Sequence, residues 1–110
     1  MPHCVIEHSD NLDADSLVEQ VFKAALASAL FEPDGSDIKV RAQGFKSYLT
    51  GPAKADFIHV TVKILSGRTA EQKSTLADVI IAGLAKSGYA GVSMTVDVVD
   101  MDRASYRKVI

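Results

Sequence analysis

Apolar and polar residues alternate along four short stretches of the chain and recur at helical spacing along two longer ones. The first stretch, His3 to His8, reads as a short strand. Asp10-Asn11-Leu12-Asp13 then supplies turn and N-cap chemistry. Leu17, Val18, Val21, Phe22, Ala25, Leu26, Ala29 and Leu30 follow at a spacing that gathers them on one stripe of a helix. Phe31-Glu32-Pro33-Asp34-Gly35-Ser36 ends that helix. The next strand sets Ile38, Val40 and Ala42 on one face against Lys39, Arg41 and Gln43 on the other.

The order then repeats. Gly51-Pro52-Ala53-Lys54 marks the join, and Phe57 to Leu65 turns Ile58, Val60, Val62 and Ile64 to one side and His59, Thr61 and Lys63 to the other. Thr69-Ala70-Glu71-Gln72 has the spacing of a capping box that opens a second helix. Leu76, Val79, Ile80, Gly83 and Leu84 form its buried stripe, with Gly88 placed as its C-terminal cap. A last strand, Val92 to Val99, turns Val92, Met94, Val96 and Val98 inward and Ser93, Thr95 and Asp97 outward. The expected fold is α+β, a duplicated β-α-β unit with halves at about 2–50 and 56–100. Right-handed crossovers lay both helices on one face of a four-stranded sheet and leave the opposite face polar. Glu7 and Asp97 are placed to pair with the lysines of that polar face.

Composition adds limits. A chain of 110 residues, 47% apolar and 24% charged, is expected to be one soluble globular domain spanning 1–110. Its net charge of -2 is not that of a nucleic-acid surface, which needs a strongly basic face, so no nucleic-acid partner is implied. No apolar run reaches the roughly 18 to 20 residues of a membrane span, and no basic stretch followed by an apolar core opens the chain. The expectation is a cytoplasmic protein without a membrane partner. The single cysteine, Cys4, permits no intrachain disulfide and reads as a small buried hydrophobe. His3, His8 and His59 show none of the recognised metal-site spacings, so no metal is expected.

Chemistry enters at Pro2. Removal of Met1 before a small second residue leaves the proline nitrogen as a secondary amine, and desolvation or nearby cations lower an amine's pKa toward the range of a general base at neutral pH. A retained Met1 makes the same nitrogen a tertiary amide with no basic lone pair. Cations that could hold an anionic substrate are also present. Arg41 and Arg68 offer planar guanidinium forks suited to carboxylates. Lys39 projects from the same face as Arg41 and is the alternate to it.

Met1-Pro2-His3, Glu7 and Ser9-Asp10-Asn11 together resemble the opening of the 5-carboxymethyl-2-hydroxymuconate Δ-isomerase family of the tautomerase superfamily. The resemblance continues through Phe57-Ile58-His59-Val60-Thr61-Val62-Lys63-Ile64 and Ser66-Gly67-Arg68, and it is weakest from Phe31 to Asp56 and at the C-terminus. It implies a homotrimer whose sheets surround a central channel, with sites between subunits. It also implies Pro2 as the base that shuttles a proton during enol-keto isomerisation of a small anionic dienol, in the breakdown of an aromatic acid. Arg68 matches the family's substrate-binding arginine after the third strand. The family's strand arginine falls at Lys39 in one register and close to Arg41 in another. Phenylpyruvate enol tautomerisation is a second activity that the same base would serve. A non-catalytic trimer binding a small acid or a protein is the alternative from another class.

Overall fold

The computed structural model describes residues 1–110. Its elements run β1 (His3–Ser9), α1 (Ala14–Ala27), β2 (Lys39–Phe45), β3 (Phe57–Leu65), α2 (Ala70–Ala85) and β4 (Ser93–Met101). The strands form one sheet in the order β2-β1-β3-β4. β1 pairs parallel with β2 across α1, and β3 pairs parallel with β4 across α2. The two units meet where β1 pairs antiparallel with β3. The elements make the expected α+β fold, a four-stranded mixed sheet with two helices.

The core lies between the sheet and the helices. Cys4, Ile6, Ile58, Val60, Val62 and Ile64 are fully buried on the helix side of the central strands. Leu17, Val21 and Ala25 meet them from α1, and Leu76, Ile80 and Leu84 from α2. Burying a Leu or Ile side chain stabilises by about 1.5–3 kcal/mol, so this one layer is the main source of the fold's cohesion. The helices also touch each other closely. A methyl group at Gly83 would stand 3.0 Å from Ala24 Cβ, so a larger residue there would wedge α1 and α2 apart.

The helix ends follow their caps. Asp13 accepts from Ser16 N at 3.3 Å at the start of α1. At the start of α2, Gln72 N donates to Thr69 Oγ1 at 3.1 Å and Thr69 N donates to Gln72 Oε1 at 2.9 Å, completing the expected capping box. Two ends differ from the sequence pattern. The apolar stripe of α1 runs on to Leu30, but the helix stops at the Ser28 cap because Ala29 takes a left-handed φ of 60°; Leu30 still packs on the core from the loop. The cap of α2 is Lys86, with Gly88 two residues beyond it. β4 extends to Met101, where Ser66 N donates to the Met101 carbonyl at 3.0 Å.

Candidate functional site

The beginning of β1 is held from both sides. Pro2 is fully buried, and its carbonyl accepts from Lys39 N at 3.0 Å. With Met1 in place, the Met1 ammonium donates to the Asp37 carbonyl at 2.8 Å, and Met1 Sδ accepts from Leu65 N at 3.2 Å. Burial first and the Lys39 ammonium second hold the Met1 ammonium below the ordinary α-amine range; Asp37 opposes this, and Lys108 in the C-terminal tail adds a smaller push.

Register builds a cationic row next to this point. His3 lies opposite Lys39 on β2 and opposite Lys63 on β3, all on the face away from the helices. Arg41 stands one step along, opposite Val5, and its Nη1 donates to His3 Nδ1 at 3.3 Å. An arginine offers only donors, so Nδ1 is the acceptor and the ring proton sits on Nε2. That nitrogen faces Tyr106 Oη at 3.1 Å, with the two rings edge to face. Burial, then Arg41, the Met1 ammonium, Lys39 and Lys63 all hold the His3 pKa below its usual value. A neutral imidazole therefore sits among several positive charges.

Those charges lack acidic partners. Glu7 and Asp97, expected to pair with the lysines of this face, do not. Glu7 lies opposite Gln43 and His59, and Asp97 opposite Thr61, which leaves both carboxylates in rows away from Lys39 and Lys63. The ion pairs present are Lys23 with Glu19 at 2.9 Å and Lys73 with Asp100 at 3.3 Å, both elsewhere. Positive charge gathered without counter-charge on an open sheet face favours an anion there.

Arg68 occupies the same end of the sheet but turns toward the helix layer. Its Nη2 donates to the Leu30 carbonyl at 2.6 Å, and its guanidinium lies 5.9 Å from the centroid of the Phe31 ring. Neither partner is an acid, so the charge is positioned without being neutralised. Gly67, with φ 123°, turns the chain just before it, in a conformation that favours glycine. Arg103 covers this turn: its Nε donates to the Ser66 carbonyl. Cys4 is not a nucleophile here. Burial pushes its thiol pKa up to about 11, against a smaller opposing pull from Arg41.

The fold and this end of the sheet can be set beside known proteins. The family model for 5-carboxymethyl-2-hydroxymuconate isomerase matches residues 2–104. The chain belongs to that family. Among solved structures it is similar to Pt0534 inactivated by 2-oxo-3-pentynoate, with TM-score 0.82 and 19% identity over 94% of this chain and 89% of that one. It is also similar to a 5-carboxymethyl-2-hydroxymuconate isomerase from Deinococcus radiodurans R1, with TM-score 0.75 and 23% identity over 98% of this chain and 88% of that one. A third is the F6 fused 4-OT wild-type asymmetric trimer, with TM-score 0.77 and 14% identity over 96% and 91% of the two chains. These likenesses are of fold. No curated protein is similar enough to the chain to register as a relative.

Of the residues singled out in the sequence, the family member's structure brings Pro2, Lys39 and Arg41 together around His3 and sets Arg68 on the far side of the same end. Three neighbours carried no sequence signal strong enough to place them. Alternation in β1 sets His3 on the face opposite Cys4 but does not pair it with Arg41 or Tyr106, and Arg103 and Tyr106 lie in a tail without periodicity. The cationic surroundings of His3 generate a prediction about stability. The folded state disfavours the imidazolium, so its contribution is full above the ordinary histidine pKa of about 6.5 and is lost as pH falls from there through the lowered folded value. Urea denaturation of the wild type and His3→Asn at pH 7.5 and pH 5 should show the larger acid-induced loss in the wild type. Equal losses in the two proteins would remove His3 as the cause.

Proposed function

We propose that the chain, once Met1 is removed, is a cofactor-independent isomerase that moves a proton within an unsaturated di- or tricarboxylate such as 5-carboxymethyl-2-hydroxymuconate. The observation that carries this reading is the buried Pro2 at the edge of an uncompensated cationic row. An amine freed at Pro2 would meet the influences that already depress the Met1 ammonium, desolvation and the Lys39 charge. Both shift it toward the deprotonated form that a general base needs.

The proton transfer needs one base. The Pro2 nitrogen takes the proton that leaves the dienol, the negative charge spreads over the conjugated oxygen and carbons, and the same nitrogen returns the proton to a different carbon. Arg41, with Lys39 as the alternate, holds one carboxylate on the open face, and Arg68 holds another through the guanidinium donors that Leu30 leaves free. Pairing with fixed cations counts most where charge is delocalising and water is thin. A homotrimer would shield this face, and the fused 4-OT structure, of similar fold, is itself a trimer.

A second reading rests on Met1 itself. Its ammonium and thioether each have a partner, at Asp37 and Leu65. Those contacts favour a chain that keeps its methionine, has an amide at Pro2, and serves as a non-catalytic trimer binding a small acid or a protein.

Mass and activity measurements separate these readings. Intact-mass measurement should find the purified chain without Met1, and 2-oxo-3-pentynoate should add one molecule to its N-terminal peptide. In that addition the amine lone pair forms a bond to the alkyne carbon β to the ketone while a proton moves to the α carbon, so the adduct weighs the sum of its parts. A chain extended before Pro2 should neither react there nor isomerise a dienol, and equal turnover by extended and processed chains would rule Pro2 out as the base. Arg68→Ala should cost about 2 to 5 kcal/mol in kcat/KM on the best substrate, the range for removing one partner of a desolvated ion pair. An unchanged kcat/KM would remove Arg68 from the site. Sedimentation at micromolar concentration should give a trimer, and a monomer there would count against the assembly.

A further inference from the structure

The C-terminal tail reaches the cationic row from outside the sheet. Asp102 Oδ1 accepts from Ala104 N at 2.9 Å, and the Asp102 carbonyl accepts from Ser105 N at 3.2 Å, which closes a compact turn after β4. Arg107 Nη1 donates back to the Ala104 carbonyl at 2.9 Å and the Tyr106 carbonyl at 3.0 Å. Arg103 ties the turn to Ser66. A segment so fully bonded to itself and to the sheet presents the Tyr106 side chain in a defined place. That place is against His3.

The bonding at His3 has a direction. Arg41 can only donate, so it requires a bare Nδ1, and a bare Nδ1 on a neutral ring requires a proton on Nε2. Tyr106 Oη is the atom in position to accept that proton. Without it, the ring loses the partner that favours this tautomer. The alternative tautomer would point an N–H at the Arg41 guanidinium, and that side chain, exposed and without an acid beside it, would leave its place over His3.

We propose that Tyr106 is a positioning residue: by fixing the tautomer of His3 it holds the Arg41 guanidinium over the Pro2 end of the sheet, in reach of a substrate carboxylate. The proposal rests on the reading of Arg41 as a carboxylate-binding cation, and it adds the tail to the machinery of substrate recognition. Tyr106 touches neither the base nor the substrate in this scheme. Its influence is on binding, through two hydrogen bonds in series.

The test is a set of variants of the full, processed chain. Tyr106→Phe should raise KM for 2-hydroxymuconate about two- to tenfold, the worth of one hydrogen bond open to solvent, and leave kcat within about twofold. The same substitution should have no further effect in an Arg41→Ala background, nor in His3→Asn, where an amide oxygen can serve Arg41 without a tautomer to fix. A fall in kcat, or an equal penalty in all three backgrounds, would show a general structural role for the tail and overturn the proposal. Nitrogen-15 spectra of the His3 ring give an arm that does not depend on turnover. The wild type should show the Nε2–H tautomer at neutral pH, and Tyr106→Phe a mixture. An unchanged ring spectrum overturns the proposal even where KM moves. Should the processed wild type act on no dienol, the proposed isomerase activity fails by itself, and the ring spectra alone then decide whether Tyr106 fixes His3.

Discussion

A strand bonded on both edges can serve only two faces, and its register decides what each face carries. β1 is that strand: it pairs in parallel with β2 and antiparallel with β3, so each residue from His3 to His8 is aligned with a partner on either side. A shift by one residue would turn Cys4 and Ile6 out of the core and His3 into it. The burial of Ile6 between the flanking strands and the helices therefore also holds His3 in the row with Lys39 and Lys63. Core packing and the charge pattern of the open face are one constraint seen from two sides.

That coupling explains what could be read from the sequence. Alternation in Ile38 to Gln43 and in Ile58 to Ile64 is a local property, and it predicted both the strands and the face on which Lys39, Arg41 and Lys63 stand. The capping box at Thr69 is local as well, and its bonds formed as its spacing required. Ala29 was harder, because its apolar character fits the helical stripe while its left-handed backbone ends the helix. Nothing in the type of a residue announces that change.

The contacts that complete the candidate site are of another kind. His3 and Tyr106 are separated by nearly the whole chain, and they meet because β4 runs beside β3 and delivers the tail to the end where β1 begins. Such a meeting depends on strand order, which periodicity does not specify. The absence of ion pairs at Glu7 and Asp97 has the same origin, since the expectation placed charges on the correct face but not in rows. Pro2 was legible by its position, yet the chemistry of its nitrogen depends on a covalent event before it.

One consequence concerns how the protein can be handled. Met1 and Tyr106 meet the same end of the sheet, Met1 bonded at Asp37 and Leu65 and Tyr106 lying on His3. A purification tag on the front of the chain acylates Pro2, and a tag on the back hangs from the segment that carries Tyr106. The loop from Gly51 to Lys54, exposed and at the opposite end of β3, is the better place for an affinity sequence or a reporter.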